Sequence, residues 1–201
     1  MARKSGSNGE KTAKLLRAAA LKLFAAHGYA AVSMRQIAQE IGVQAGALYL
    51  YTPDKQTLLF ELLNRHMVAL LQAWEAAPKL ATDDPVKRLE CFVRFHIRFH
   101  LPRAEHVFIS YMELRNLTEE NFQSIEKSRR TYEAILRKIL IDGQNSGAFN
   151  LADAKVSTFA IIAMLTGMNT WYRQDGRLSL KAVEEIYLNM VLSGVGVAKN
   201  V

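Results

Sequence analysis

Residues 33–55, SMRQIAQEIGVQAGALYLYTPDK, constrain the fold more than any other stretch of the chain. Ser33 stands where a helix needs its N-cap. Gln36, three residues on, completes a capping box, in which each side chain satisfies the other's backbone N–H. Met34, Ile37, Ala38 and Ile41 then recur at i, i+3, i+4 and i+7, one apolar helical face. Gly42 supplies the turn, because glycine enters left-handed backbone without a Cβ penalty, and Val43 is expected to plug it as a buried residue. A second helix over about 44–50 carries Ala45, Gly46 and Ala47 before Leu48 and Tyr49. A helix that is small at its N-terminal end and aromatic further on can approach a surface closely. That suits a helix laid in a DNA major groove with its first residues at the base edges.

The 201 residues allow one or two domains and a substantial core. Half of them are hydrophobic, which argues against disorder. No apolar run approaches the length of a membrane span, and MARKSGSNGEK holds no signal-peptide core. Cys91 is the single cysteine, so there is no disulfide framework. Together these features point to a cytoplasmic protein without a membrane partner. The net charge of +7 is uneven. Residues 1–55 hold eight bases and three acids, whereas the other 146 hold 18 and 16. The basic excess therefore travels with the helix-turn-helix stretch, as an electrostatic footprint for nucleic acid does.

Taken in order, residues 1–9 read as a flexible basic tail whose Arg3 and Lys4 could follow a DNA backbone. Residues 10–27 read as an amphipathic helix with Leu16, Ala20, Leu23 and Phe24 inward and Lys11, Lys14 and Lys22 outward, ended by Gly28. Tyr29 and Val32 are expected to close the small core. Thr52 is placed to cap a helix over 53–76, with Pro53 in its first turn. Further helices are expected over about 84–100, 103–116, 119–144, 152–174 and 179–195, with no strand. The fold class is thus all-α with about nine helices: a three-helix DNA-binding domain over 10–55, then a helical domain over 56–201. The last two helices are apolar over a wide arc. Ala160, Ala163 and Gly167 on one, with Val183, Ile186, Tyr187, Met190 and Gly194 on the other, are the candidate interface of a two-fold homodimer.

Over residues 10–63 the sequence resembles the TetR family of bacterial one-component regulators. The likeness runs through Phe24, Gly28-Tyr29, Val32-Ser33-Met34, Ile37-Ala38, Ile41-Gly42-Val43, Gly46, Leu48-Tyr49, Tyr51, Pro53, Lys55 and Leu58 without a gap. Thr52 departs from the aromatic usual there, and Leu50 from a polar residue. The resemblance implies a double-stranded operator as partner, with roles for matching positions. Ser33 and Arg35 would touch phosphates. Gln44, Ala45 and Ala47 would face base edges, and Gly46 would permit close approach. Tyr49, Tyr51 and Lys55 would hold the DNA backbone. The residue chemistry agrees: hydroxyl and cationic donors suit phosphate, and glutamine can pair with adenine through two hydrogen bonds. Further on, Gly143 to Phe149, Met164, Gly167-Met168, Trp171-Tyr172-Arg173 and Gly176-Arg177-Leu178-Ser179 resemble a TetR subgroup that controls fatty-acid and sterol degradation and responds to acyl-CoA thioesters. Gln174-Asp175 stands where that subgroup usually continues through a proline.

Phe92, Phe95, Phe99, Phe108, Tyr111, Met112, Phe159, Met164 and Trp171 are the candidate ligand-binding set. Arg94, His96, Arg98, His100 and His106 lie on the same helices. Either these aromatics are plain core, or they line an apolar cavity rimmed by bases and suited to a hydrophobic anion such as an acyl-CoA. His96 and His100 have a zinc-compatible spacing. Without a completing ligand, the alternating Arg and His residues read instead as one polar helix face, and no metal or cofactor is expected. No phosphate loop, nucleophile elbow or paired carboxylates suggest an enzyme. The expected function is a homodimeric repressor released by a small-molecule effector. A ligand-independent DNA-binding protein and a ligand-binding protein with a vestigial helix-turn-helix stay open as alternatives.

Overall fold

The helical periods of the sequence are realised as nine α-helices and two 3-10 turns in a computed structural model that describes residues 6–78 and 83–197; no strand occurs among them. Arg3 and Lys4 lie outside the described residues. The chain forms two compact units: residues up to 69 with 105–126, and 70–104 with 127 onward.

In the first unit, α1 spans Gly6–His27, beginning four residues before its expected start. A nucleated helix extends at one hydrogen bond per added residue, which carries it through a weakly helical Gly-Ser-Asn-Gly run. Leu16, Ala20 and Phe24 are buried as expected. Gly28 ends the helix at φ +80. α2 spans Met34–Glu40, with Ile37 and Ala38 buried. The capping box is present: Ser33 N–H donates to Gln36 Oε1 at 2.7 Å, and Gln36 N–H donates to Ser33 Oγ at 3.3 Å. At the other end Gly42 has φ +70. Val43 N–H donates to Ala38 O and Gly42 N–H to Gln39 O, the paired bonds of a Schellman motif. Val43 is only partly buried, so the plug expected at that position is incomplete.

α3 is a single turn, Ala45–Leu48, shorter than the expected 44–50. Its end tightens because the N–H groups of Tyr51 and Thr52 both donate to Leu48 O, which turns the chain toward α4. α4 spans Lys55–Ala76. Its cap is Asp54, not Thr52: Asp54 Oδ1 accepts from Thr57 N–H at 2.7 Å. Thr52 is buried instead, its hydroxyl donating to Asp54 O. The helix expected over 103–116 is divided into a 3-10 turn at Leu101–Arg103, α6 at Ala104–Met112 and a second 3-10 turn at Leu114–Asn116. Pro102 supplies no N–H at the first break, and Glu113, at φ −106, makes the second.

In the second unit, α5 (Pro85–His100) packs against α8 (Ala154–Trp171) and α9 (Leu180–Gly194). Asp84 caps α5 through the N–H groups of Val86 and Lys87. α7 spans Glu119–Asn145. The arginines and histidines of α5 do not form one polar face. Residues two apart on a helix point in nearly opposite directions, so Arg94 and Arg98 face one way while His96 and His100 are buried. Arg98 makes a two-bonded pair with Glu184 of α9, both distances 2.7 Å, and Arg94 reaches Glu185 at 2.7 Å. Val183 is 2% exposed and packs inside the protomer, which removes it from any outer face. No described helix is long and apolar enough to cross a membrane.

Candidate nucleic-acid interface

The capping box at Ser33 and the Schellman motif at Gly42 fix where α3 begins, and α3 turns Gly46 outward. Gln44 is its N-cap residue, but the side chain makes no capping bond, so the carboxamide stays exposed. Gly46 is exposed, and a Cβ built on it would meet nothing within 4 Å. Ala45 and Ala47 are half-buried, and Leu48 anchors the turn in the core. Tyr49 is 56% exposed and Leu50 81%. An exposed amide, three small neighbours and a phenol thus lie along one short turn. Those groups can pair with a base edge, permit close approach and donate to a phosphate. Arg35, in the first turn of α2, is exposed as well.

Three of the expected phosphate contacts are engaged inside the protein. Ser33 Oγ donates to Gln36 Oε1 at 2.8 Å, so its proton serves the capping box. Tyr51 is half-buried, its ring beside Gly9 of α1. Lys55 Nζ donates to Tyr29 O at 2.9 Å and Val32 O at 2.8 Å, and lies 4.2 Å from the Tyr29 ring centroid. That cation closes the α1–α2 loop over the start of α4. Tyr29 also packs edge-on against Phe24, and burial, followed by the Asp54 charge, raises its hydroxyl pKa. Lys22 of α1 pairs with Glu40 of α2 at 3.0 Å, and this hydrogen bond raises the lysine's pKa.

Glu113 carries no signal in the sequence. It is buried, and its Oε1 accepts the Tyr29 backbone N–H at 3.1 Å across 84 positions. No local pattern marks that contact; a lone carboxylate between Met112 and Leu114 reads as a solvated helix residue.

The candidate ligand set is distributed between the units. Phe108, Tyr111 and Met112 stand exposed on α6 in the first. In the second, Phe92 and Phe99 are buried, and Trp74 stacks edge-on against Phe92 and Phe95 at 5.4 and 5.0 Å. Met164 is half-buried, while Phe159 and Trp171 are exposed on α8. His106 belongs to the first unit, stacked on His66 at 5.4 Å. His96 sits in the second unit's core with both nitrogens engaged, Nδ1 with Tyr132 OH and Nε2 with Thr166 Oγ1, each at 3.1 Å. Its ring stacks on His100 at 4.1 Å, so the two imidazoles lie face to face instead of converging on a point. Of the candidate dimer residues, Ala160, Ala163, Ile186, Met190 and Gly194 are exposed, while Gly167 and Tyr187 are half-buried.

Residues 16–62 match the family model for bacterial regulatory proteins of the tetR family, and residues 82–195 match that for the tetracyclin repressor-like C-terminal domain. The chain is 27% identical over 181 residues to the fatty acid metabolism regulator protein of Bacillus subtilis, covering 88% of this chain and 92% of that protein. It is 27% identical over 198 residues to the HTH-type transcriptional repressor KstR2 of Mycobacterium tuberculosis, covering 97% and 98%. Among solved structures, a bacterial regulatory protein in the tetR family from Rhodococcus RHA1 superposes with a TM-score of 0.85 at 27% identity, covering 94% of this chain and 99% of that one.

Proposed function

The chain belongs to the TetR family of bacterial regulatory proteins, and on that premise we propose that it acts as a homodimeric repressor whose operator is released by a hydrophobic anion of the acyl-CoA class. The observation that carries the DNA reading is the exposed tip of α3, where Gln44, Gly46 and Tyr49 project from a turn held by two caps. Gln44, Ala45 and Ala47 are assigned to base edges, and Arg35 and Tyr49 to phosphates. Ser33, Tyr51 and Lys55 hold the motif's own backbone and core in addition to any contact with DNA.

The second copy is supported by the outer face of α8 and α9, where Val156, Phe159, Trp171, Ile186 and Met190 are exposed beside Ala160, Ala163 and Gly194. Large apolar side chains clustered on one surface mark an association site. A two-fold partner would carry two copies of α3 to successive major grooves, roughly 34–36 Å apart. The ligand class is supported by the likeness of residues 143–179 to regulators of fatty-acid and sterol degradation, and by a relative named for fatty-acid metabolism. Half-buried Phe95 and Met164 are its pocket candidates in the second unit.

Sedimentation of the protein with a duplex chosen by selection from random sequences tests the whole proposal. Two chains should bind per duplex, palmitoyl-CoA should lower DNA affinity at least about tenfold, and free CoA should not. Met190→Asp should yield monomers. Retention of DNA at saturating palmitoyl-CoA would favour a ligand-independent regulator.

A further inference from the structure

Tyr29 lies in the five-residue loop, 28–32, that joins α1 to the N-cap of α2. Its backbone N–H and its backbone carbonyl are both tied down, each to a different element. Its N–H donates to Glu113 Oε1 at 3.1 Å, and its carbonyl accepts from Lys55 Nζ at 2.9 Å. Glu113 Oε2 accepts from Asn116 Nδ2 at 2.6 Å, and the Asn116 carbonyl accepts from Gln56 Nε2 at 2.6 Å. Since Lys55 and Gln56 are neighbours at the start of α4, the contacts close into a ring: Lys55, Tyr29, Glu113, Asn116, Gln56.

Glu113 is an expensive residue in this place. It is 5% exposed, and burial disfavours a carboxylate. It also follows the last residue of α6, where the helix dipole disfavours negative charge. Its side-chain hydrogen bonds run to the α1–α2 loop and to the 3-10 turn that holds Asn116. An interaction with two standing costs, whose effect is to set the position of a loop, is a positioning device. Gly28 lies beside it: a Cβ added there would stand 3.6 Å from Glu113 Oε1, in ordinary van der Waals contact.

From this geometry we infer that Glu113 is a positioning residue of the DNA-reading motif: its carboxylate fixes the α1–α2 loop, and through Ser33 the start of α2, without itself meeting DNA. The inference rests on the DNA-binding reading given above. A loop of this kind otherwise samples many conformations. Holding the peptide units on both sides of the Tyr29 Cα restricts the direction in which the chain enters α2, and with it the turn at Gly42 and the tip of α3.

The test removes the acceptor and then restores it. In Glu113→Leu nothing accepts from Tyr29 N–H. In Glu113→Gln the amide oxygen still accepts from Tyr29 N–H, and the amide NH2 group donates to Asn116 Oδ1 once that side chain turns over. Amide hydrogen exchange is read without DNA, and affinity for the selected duplex is read by fluorescence anisotropy. Glu113→Leu should speed exchange at Tyr29 and weaken DNA binding, each about tenfold, the factor for one buried polar group left unpaired. Glu113→Gln should stay close to the wild type in both. The slope of affinity against salt should not change, since every phosphate-binding group is still present. Should Glu113→Leu unfold, Glu113→Gln must still protect Tyr29 and bind DNA close to the wild-type value. Unchanged Tyr29 exchange in Glu113→Leu overturns the inference, as does faster exchange with unchanged DNA affinity, or loss of protection in Glu113→Gln. A wild-type protein that binds no duplex overturns the DNA reading itself, and the exchange at Tyr29 then shows separately whether the latch exists.

Discussion

His96 and His100 stand one helical turn apart on α5, and both are buried among apolar rings. Burial favours the neutral imidazole. His96 is held well below the ordinary histidine pKa by burial and then by His100. His100 is lowered to about 4, first by burial and also by the Arg103 charge, against the opposing pull of the His96 carbonyl that accepts from its Nδ1 at 3.0 Å. A histidine whose pKa is lowered on folding is protonated more readily in the unfolded chain. Its contribution is therefore complete above about pH 6.5 and is lost as pH falls toward 4. For His100 the loss over that window is about 3 kcal/mol at most. Thermal denaturation between pH 7.5 and 4.5 should show Tm falling steadily with acid. His100→Asn keeps an amide donor near Nδ1 but cannot titrate, so it should flatten the slope; an unaltered slope would show that His100 does not set the acid sensitivity.

At the scale of one element, the end of α7 depends on a missing side chain. A Cβ at Gly143 would overlap the Phe149 ring, and Phe149 is buried with its N–H bonded to Gly143 O. The aromatic ring lies directly on the helix backbone. Gly143→Ala should force the ring out and destabilise the protein by about 1–3 kcal/mol, despite alanine's better helix propensity. Chemical denaturation reads the sign. A gain of stability would contradict the packing. Local elements of this sort are open to sequence reasoning wherever the determinant is near in the chain. Ser33 and Gln36 are three residues apart, and Gly42 directly follows the apolar face it terminates, so the capping box and the turn can be read directly. The α5 histidines are harder: alternation of Arg and His looks polar until the helical angle separates the two sets. Lys55 and Glu113 are beyond reach, because their partners lie 23 to 84 positions away and only the folded unit brings them together. Ser33 and Tyr51 are ambiguous for another reason: a hydroxyl or a ring that suits DNA also suits a cap or a helix end.

For the whole molecule, the sequence concentrates its basic excess in the first 55 residues, and exposed apolar side chains stand on α6, α8 and α9. Charge of that kind brings any duplex to the first unit regardless of sequence, at an affinity that falls steeply with salt. Preference among duplexes must come from the few groups that reach base edges. Gln44 is the exposed residue proposed for that set, and its side chain carries both a donor and an acceptor. The most direct measurement is selection from a random duplex pool, run in parallel for wild-type protein and Gln44→Ala. The wild type should enrich an inverted repeat with half-sites about one helical turn apart. The variant should keep the repeat while relaxing one position in each half-site, at a cost of about 1–3 kcal/mol for each bidentate base pairing that glutamine no longer makes. Absence of an enriched repeat, or the same base preference at every position in the two proteins, would contradict α3 as the element that reads DNA.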